Sequence, residues 1–409
     1  MYILEAAIEY FISILVAGAY LANLTSAIGM SDALTGILSS IISLGCVFQL
    51  IAIFLRRERV KGMVIGLSII NQLLFTFLYA VPLIPLSAGV KTAVFAAGIV
   101  LAYLIYNVAH PVKINWLMSL VEDKRRGAFT ATKEVVSLIS GMGFSFLMGG
   151  LVDHYRAKGE METAFILSAA VMILLTLLHT LTLVLTGERK DLASSRPDRK
   201  ELFEVLRCKG ILKVTLIFAV WYVAMYSATP FYGTYQTKEL GFSMTFIAAL
   251  SVIYAVARSI FSGILGRYAD KRSFARMVRL CFFVAAAAFL VNTLCVPENG
   301  RVIFTVYYTL YAISMAGINS ALINLCYDYA PVEKRTSALA ITQAISGCVG
   351  FFTTLLMSLV VEGIQANGNT LFGIPLYAQQ FTSLFAAIVT LLAMILVHIL
   401  LVKSNKEDL

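Results

Sequence analysis

Lys113 and Glu134 stand about ten residues either side of the middle of a short polar connection at 121–126. Two antiparallel helices joined there bring an ammonium and a carboxylate to one depth. A carboxylate so placed can hold a proton or a sodium ion in one state and pair with the lysine in another, which is the chemistry of ion coupling. A static ion pair is the simpler use of the same residues. Arg258 lies about eight residues inside the end of its own apolar run. There it could bind an anionic group of a substrate, pair with Asp328 or reach the interface. Glu9 is expected to reach polar surroundings along its own stem, with proton coupling as the alternative, and Lys133, which points about 100° away from Glu134 around the helix, to snorkel likewise. His110, His154, His179 and His398 are scattered, and Cys46, Cys208, Cys281, Cys295, Cys326 and Cys348 fall in no metal-type or CxxC spacing. The cysteines read as inert small hydrophobes, and His179 and His398 as packing or interface residues. No metal, no cofactor and no enzymatic set of nucleophile and base is expected, and the absence of a GxxxxGK[ST] loop excludes ATP hydrolysis by this chain.

The elements that must position these groups are long apolar runs. Hydrophobic residues make up 59% of the 409 and charged residues 13%, against roughly 25% charged in an ordinary soluble domain. Such a chain has too little polar surface to cover its core in water. The runs are continuous rather than alternating, which excludes a membrane barrel. At about 20 residues per span, twelve helices are predicted at 5–28, 33–55, 62–84, 91–119, 126–151, 162–186, 211–235, 243–265, 275–296, 302–328, 336–362 and 377–402. Pro111 should kink the fourth. The first is read as an uncleaved helix, because its start lacks the basic residues of a signal peptide.

Lys and Arg set the orientation. With both termini cytoplasmic, the inner loops and tail hold 24 of the 32 basic residues. They include Arg56, Arg57, Arg59 and Lys61, then Lys124, Arg125 and Arg126, and eight between Arg189 and Lys213. The opposite side keeps Lys91, Arg156, Lys158, Lys238 and Arg301. The net charge of +9 is therefore a topology signal, and no nucleic-acid partner is expected.

The chain is doubled. Asp123-Lys124-Arg125-Arg126-Gly127-Ala128 and Glu333-Lys334-Arg335-Thr336-Ser337-Ala338 are related by a shift of 210 residues, and each opens the fifth helix of its half. The expected fold is an all-α membrane protein, twelve transmembrane helices in two six-helix repeats of the same orientation. Residues 1–187 form the first bundle, 188–210 a cytoplasmic linker with one amphipathic piece at Leu202–Leu206, and 211–409 the second bundle. The shift maps Lys113 and Glu134 onto Ile323 and Ala344, so that pair is not a property of the repeat.

At this point the chain resembles the major facilitator superfamily. The family's loop motif, Gly-x-x-x-Asp-Arg/Lys-x-Gly-Arg-Arg, is nearly met by Gly266-Arg267-Tyr268-Ala269-Asp270-Lys271-Arg272-Ser273, with Ser273 in place of a glycine and Arg276 following. The equivalent loop of the first half, Arg56 to Lys61, lacks the Gly and the Asp. The resemblance implies that Asp270 holds the N-terminus of the fifth helix near Arg126. Gly266, Lys271, Arg272, Arg125 and Arg335 would belong to the same conformational latch. The family's exporter motif has a Gly-Pro step in the fifth helix. Here Gly141, Gly143, Gly149 and Gly150 occur without the Pro, and they also suit plain close packing of helices.

The family's central cavity is lined mainly by helices one, four, seven and ten. At those depths this chain offers Tyr20, Asn23, Tyr103, Tyr106, Asn107, His110, Trp221, Tyr222, Tyr226, Tyr307, Tyr308, Tyr311 and Asn319. Tyr222/Tyr226 and Tyr307/Tyr311 are spaced i,i+4, each pair on one face. Aromatics with carboxamides suit a sugar- or nucleoside-like solute by stacking and hydrogen bonding. Interfacial belts and helix packing use the same residues. The substrate candidates are Asn107, Trp221, Tyr222, Tyr226, Tyr311, Asn319, Arg258, Tyr106 and His110. Glu134 and Lys113 are the coupling candidates.

The function expected is secondary active transport of a small polar organic solute by alternating access, with a proton or sodium ion as the coupling partner. A proton-coupled exporter of drugs or metabolites, and a membrane sensor that kept the fold, are the alternatives. The expected state is a monomer in the plasma membrane.

Overall fold

The computed structural model describes residues 1–52, 60–122, 126–187, 205, 207–331, 334–371 and 373–403. The loop residues Arg56, Arg57, Arg59, Lys124 and Arg125, and nearly all of the linker, lie outside the described residues, as does the side chain of Arg126.

The chain is almost entirely helical. The helices are α1 (Tyr2–Leu15), α2 (Gly18–Ala27), α3 (Asp32–Ala52), α4 (Val60–Ala80), α5 (Ala88–Ser119), α6 (Arg126–Ala157), α7 (Met161–Leu185), α8 (Lys209–Ala228), α9 (Met244–Lys271), α10 (Phe274–Asn292), α11 (Gly300–Tyr329), α12 (Arg335–Ala366) and α13 (Ala378–Val397). Among the described residues, ten helical segments are long and apolar enough to cross a bilayer. The pair α1 and α2, bent by 41°, makes an eleventh, and α3 is apolar throughout its fully described part, Asp32–Gly45. The twelve stretches read from the sequence thus correspond to ten spans, one broken span and α3. The break in the first has a local cause: Ala17 is extended and Gly18 adopts a φ of +51°, which a side chain would oppose. Pro111 does not end α5, which continues as helix through Ser119.

Two compact units divide the chain, one of Met1–Arg196 with Phe242–Ala249, the other of Pro197–Gly241 with Leu250–Leu409. In the first, α4 packs on α5 and α7, α3 on α5, and α1 on α6 and α7. In the second, α10 packs on α11 and α13, and α8 on α12 and α13. The third span of each unit therefore meets the fourth and sixth, and the first meets the fifth and sixth. This internal agreement is the structural form of the 210-residue repeat.

Lipid offers no partner for a polar group, so cross-helix hydrogen bonds end on backbone carbonyls or on each other. In the first unit Asn71 Nδ2 donates to Ala102 O at 2.7 Å and Tyr79 OH to Leu15 O at 2.6 Å. In the second, the Thr215 and Thr342 hydroxyls meet at 2.9 Å, and Tyr235 OH donates to Cys295 O at 2.7 Å. The outer faces carry leucines such as Leu147 and Leu177, 75% and 63% exposed, as a lipid-facing surface requires. The first-unit residues Val64, Val112, Trp116, Leu117 and Leu183 close one end of the bundle as a buried cluster, where Trp116 Nε1 donates to Gly187 O at 3.1 Å.

Candidate functional site

Glu5 and Glu9 are one helical turn apart on α1, so both carboxylates leave the same face. That face meets α5 and α7. Lys113 Nζ of α5 lies 2.6 Å from Glu5 Oε1 and 2.5 Å from Glu9 Oε1, with Lys113 2% and Glu5 1% exposed. His179 of α7 places Nε2 3.0 Å from Glu5 Oε1, and its Nδ1 lies 2.9 Å from Gln72 Nε2 on α4. His110, one turn before Lys113 on α5, has Nδ1 3.7 Å from Glu9 Oε1. Four helices of one unit thus converge on a single buried charge cluster.

The charges do not cancel. With His110 and His179 both neutral, two carboxylates face one ammonium and the cluster is one unit negative. A buried net charge inside a spanning bundle is costly. The imidazole is wired for either state. When Nε2 donates to Glu5, Nδ1 accepts from the Gln72 amide and the ring is neutral. Turning that amide over offers Oε1, the atom now buried without a partner, to an Nδ1–H of the imidazolium. Access is graded: Glu9 and His110 are 20% and 29% exposed, whereas Glu5 and His179 are sealed. Glu5, Glu9 and His179 also stand close enough to embrace a metal ion. The Lys113 ammonium already fills the position between the two carboxylates.

The expected Lys113–Glu134 pair is not formed in this way. Lys113 turns towards α1, and Glu134 is exposed on α6. Lys133 sits over the ring of Tyr2, 5.1 Å from its centroid. The sequence does not single out Glu5, it reads His179 as a packing residue, and it leaves Glu9 between snorkelling and proton coupling. The available signal was the i,i+4 spacing of two acids in a span with no base on the same helix.

The second unit carries a tyrosine-rich wall. Tyr222 and Tyr226 stack at 5.5 Å between ring centroids, and Tyr307 and Tyr311 stack at 5.4 Å. Tyr254 of α9 lies 6.2 Å from Tyr311, and Gln236 Nε2 donates to Tyr308 OH at 3.1 Å. Tyr222, Tyr226, Tyr254, Tyr308 and Tyr311 are half-buried, while Tyr307 is sealed. Tyr226 packs directly on Gly350, where any added Cβ would strike its ring.

Two of the expected lining residues are sealed inside the bundles. Trp221 is 1% exposed and stacks on Phe282 at 5.3 Å, inside the second bundle rather than on an open face. Asn107 is also buried; its amide donates to Tyr103 O at 2.8 Å, and its side chain fills the space beside Gly45 of α3. Tyr106 is half-buried against His110, with ring centroids 4.9 Å apart. Asn319 is exposed on α11 and Arg258 half-buried on α9. Gly266 is half-buried, and Asp270, Lys271 and Arg272 are exposed at the end of α9. Arg335 Nε donates to Tyr327 O at 3.1 Å, its guanidinium lying over the Tyr327 ring.

The sequence matches the family model described as Major Facilitator Superfamily over residues 4–355 and 237–408. No curated protein matches the chain. Among solved structures it is similar to a substituted form of the nucleoside transporter NupG, with TM-score 0.73, 13% identity, and 98% of this chain and 100% of that chain covered. It is also similar to a bacterial homolog of the human lysosomal transporter Spinster, with TM-score 0.70, 14% identity and coverage of 97% and 96%. A D-xylose–proton symporter aligns with TM-score 0.64 at 13% identity, covering 95% of each chain. Identities this low establish a shared fold.

Proposed function

This chain belongs to the Major Facilitator Superfamily and is a multi-pass membrane transporter; from that premise we propose that it moves a small polar organic solute, sugar- or nucleoside-like, in a proton-coupled cycle of alternating access. The observation that carries the coupling is Lys113 held between Glu5 and Glu9, with His179 behind them. One ammonium shared by two acids leaves a cluster that reaches neutrality by taking one proton. The proton enters from the Glu9–His110 edge, releases one carboxylate from Lys113, and so links protonation to the packing of α1 on α5. Lys113 keeps the coupling role read from the sequence, with Glu5 and Glu9 in the place of Glu134.

The half-buried tyrosines support the solute class. Stacked phenol rings present both a flat apolar face and a hydroxyl, which suits a ring bearing hydroxyl groups. A nucleoside transporter and a xylose–proton symporter share the fold, so the fold accommodates such solutes. Asp270 and its neighbours act as the conformational latch, the two six-helix bundles flank the 188–210 linker, and the protein works in the plasma membrane with both termini cytoplasmic.

The test is reconstitution into liposomes with a screen of sugars and nucleosides under an imposed proton gradient. Uptake should follow the gradient and collapse with a protonophore. Glu9→Gln should exchange solute across the membrane yet fail to accumulate it. Accumulation that follows sodium and ignores the protonophore would overturn the proton assignment.

A further inference from the structure

We propose that a cleft on the lipid-facing side of the second unit binds the phosphate headgroup of an anionic phospholipid. The cleft, of about 440 Å³, lies where α10 begins and α13 ends. Its polar end is formed by Arg276 and Arg279 of α10 and by His398, where α13 passes into a π-helical turn, His398–Lys403. Its inner wall is formed by Leu280, Phe283 and Ile395, which are 43%, 57% and 46% exposed.

The order of residues along α10 matches the depth profile of a lipid. Arg276 is the third residue of α10, and Phe283 lies two turns further in, about 10 Å at 1.5 Å per residue. On the other side of the cleft, His398 opens the π-helical continuation of α13, His398–Lys403, one turn after the apolar Ile395. Basic groups therefore stand at headgroup level with apolar side chains below them. Neither arginine pairs with a carboxylate among the described residues. Arg279 Nη1 instead lies 2.9 Å from His398 Nδ1, a neutral acceptor that leaves the guanidinium charge uncompensated. Two planar forks converging on one opening suit phosphate oxygens, and basic pockets between spanning helices are where such headgroups bind. A water-borne phosphate would satisfy the arginines and leave Leu280, Phe283 and Ile395 uncovered. A phospholipid covers both ends, and that decides the occupant.

The site is tested on the full-length protein in mild detergent. Phosphatidylglycerol, phosphatidylcholine of the same chains, and inorganic phosphate are compared by thermal shift and by adducts surviving in native mass spectrometry. Phosphatidylglycerol alone should raise the melting temperature and persist as an adduct. Arg276→Gln with Arg279→Gln should weaken its binding by roughly tenfold, the scale of a charge-assisted hydrogen bond, while Lys403→Gln should leave it unchanged. If the double variant does not fold, the exposed Phe283→Ser must lower the shift instead. Equal responses to the two lipids, a full response to inorganic phosphate, or an undiminished phosphatidylglycerol effect in the variant that folds would each overturn the proposal.

Discussion

Lys113 Nζ and Glu5 Oε1, 108 residues apart in sequence, meet at 2.6 Å with both side chains sealed inside the first unit. Such a pair is stable only as a pair, because either partner alone leaves a charge where water cannot reach it. Lys113→Met should therefore destabilise the protein by about 3–5 kcal/mol. Adding Glu5→Gln should recover much of the loss, since Glu9 then sits at the accessible edge without a second acid beside it. Thermal unfolding in detergent measures this. A double variant no more stable than Lys113→Met would show that the lysine acts through packing and not charge.

Trp221 carries a different expectation from the one its depth suggested. It is sealed in the second bundle against Phe282 and Phe289, with ring centroids 5.3 Å and 6.4 Å away. Trp221→Ala should cost about 3–5 kcal/mol of stability through the cavity it leaves. The protein that does fold should keep its solute affinity within a small factor, whereas Tyr222→Ala, at a half-buried ring, should weaken it. A Trp221→Ala protein of unchanged melting temperature and lost affinity would return this residue to the substrate site.

The apolar spans could be read from sequence, because lipid imposes a rule that acts locally on every residue of a span, whereas the 41° break between α1 and α2 could not. Nor could side-chain direction. Lys113 and Glu134 match in depth, but depth along a helix does not fix which neighbour a side chain faces, and Lys113 faces α1. The same gap moved Asn107 and Trp221 from an open face into the bundles. Glu5 and Glu9 had announced a shared face through their spacing. Their partners, 108 and 174 residues from Glu5 in Lys113 and His179, became visible only when α1, α5 and α7 were seen packed together.

Topology is open to direct labelling. Cysteines introduced at Arg196 and Asn367 should react with an impermeant maleimide from opposite membrane faces, cytoplasmic and external, in a background where the half-buried Cys208 is serine. Native Cys295 should stay silent throughout. Burial pushes its thiol up to about 12, against a smaller opposing effect of the Tyr235 hydroxyl. At labelling pH it is therefore a protonated thiol, and the reactive thiolate gains ground only as pH rises towards that value. Labelling of both introduced cysteines from one face would overturn the orientation.

Asp153, near the end of α6, makes the last prediction. Its carboxylate accepts from Met244 N at 2.7 Å, Thr245 N at 2.8 Å and the Thr245 hydroxyl at 2.7 Å. These are first-turn N–H groups of α9, which have no partner within their own helix. The negative charge also suits a helix N-terminus. The approach is close because residue 149 is glycine, and a Cβ there would press on the Met244 backbone. Phe242–Ala249 accordingly belongs to the first compact unit. Asp153→Ala should release the Met244 and Thr245 amides. Their hydrogen exchange should rise roughly fivefold, equivalent to about 1 kcal/mol of lost capping. Phe246 N, held at 3.1 Å by the Ser243 hydroxyl, should exchange as before. Exchange that rises equally at all three amides would mean that the variant frays the whole turn, and that Asp153 does more than cap it. Unchanged exchange at Met244 and Thr245 would remove the capping role.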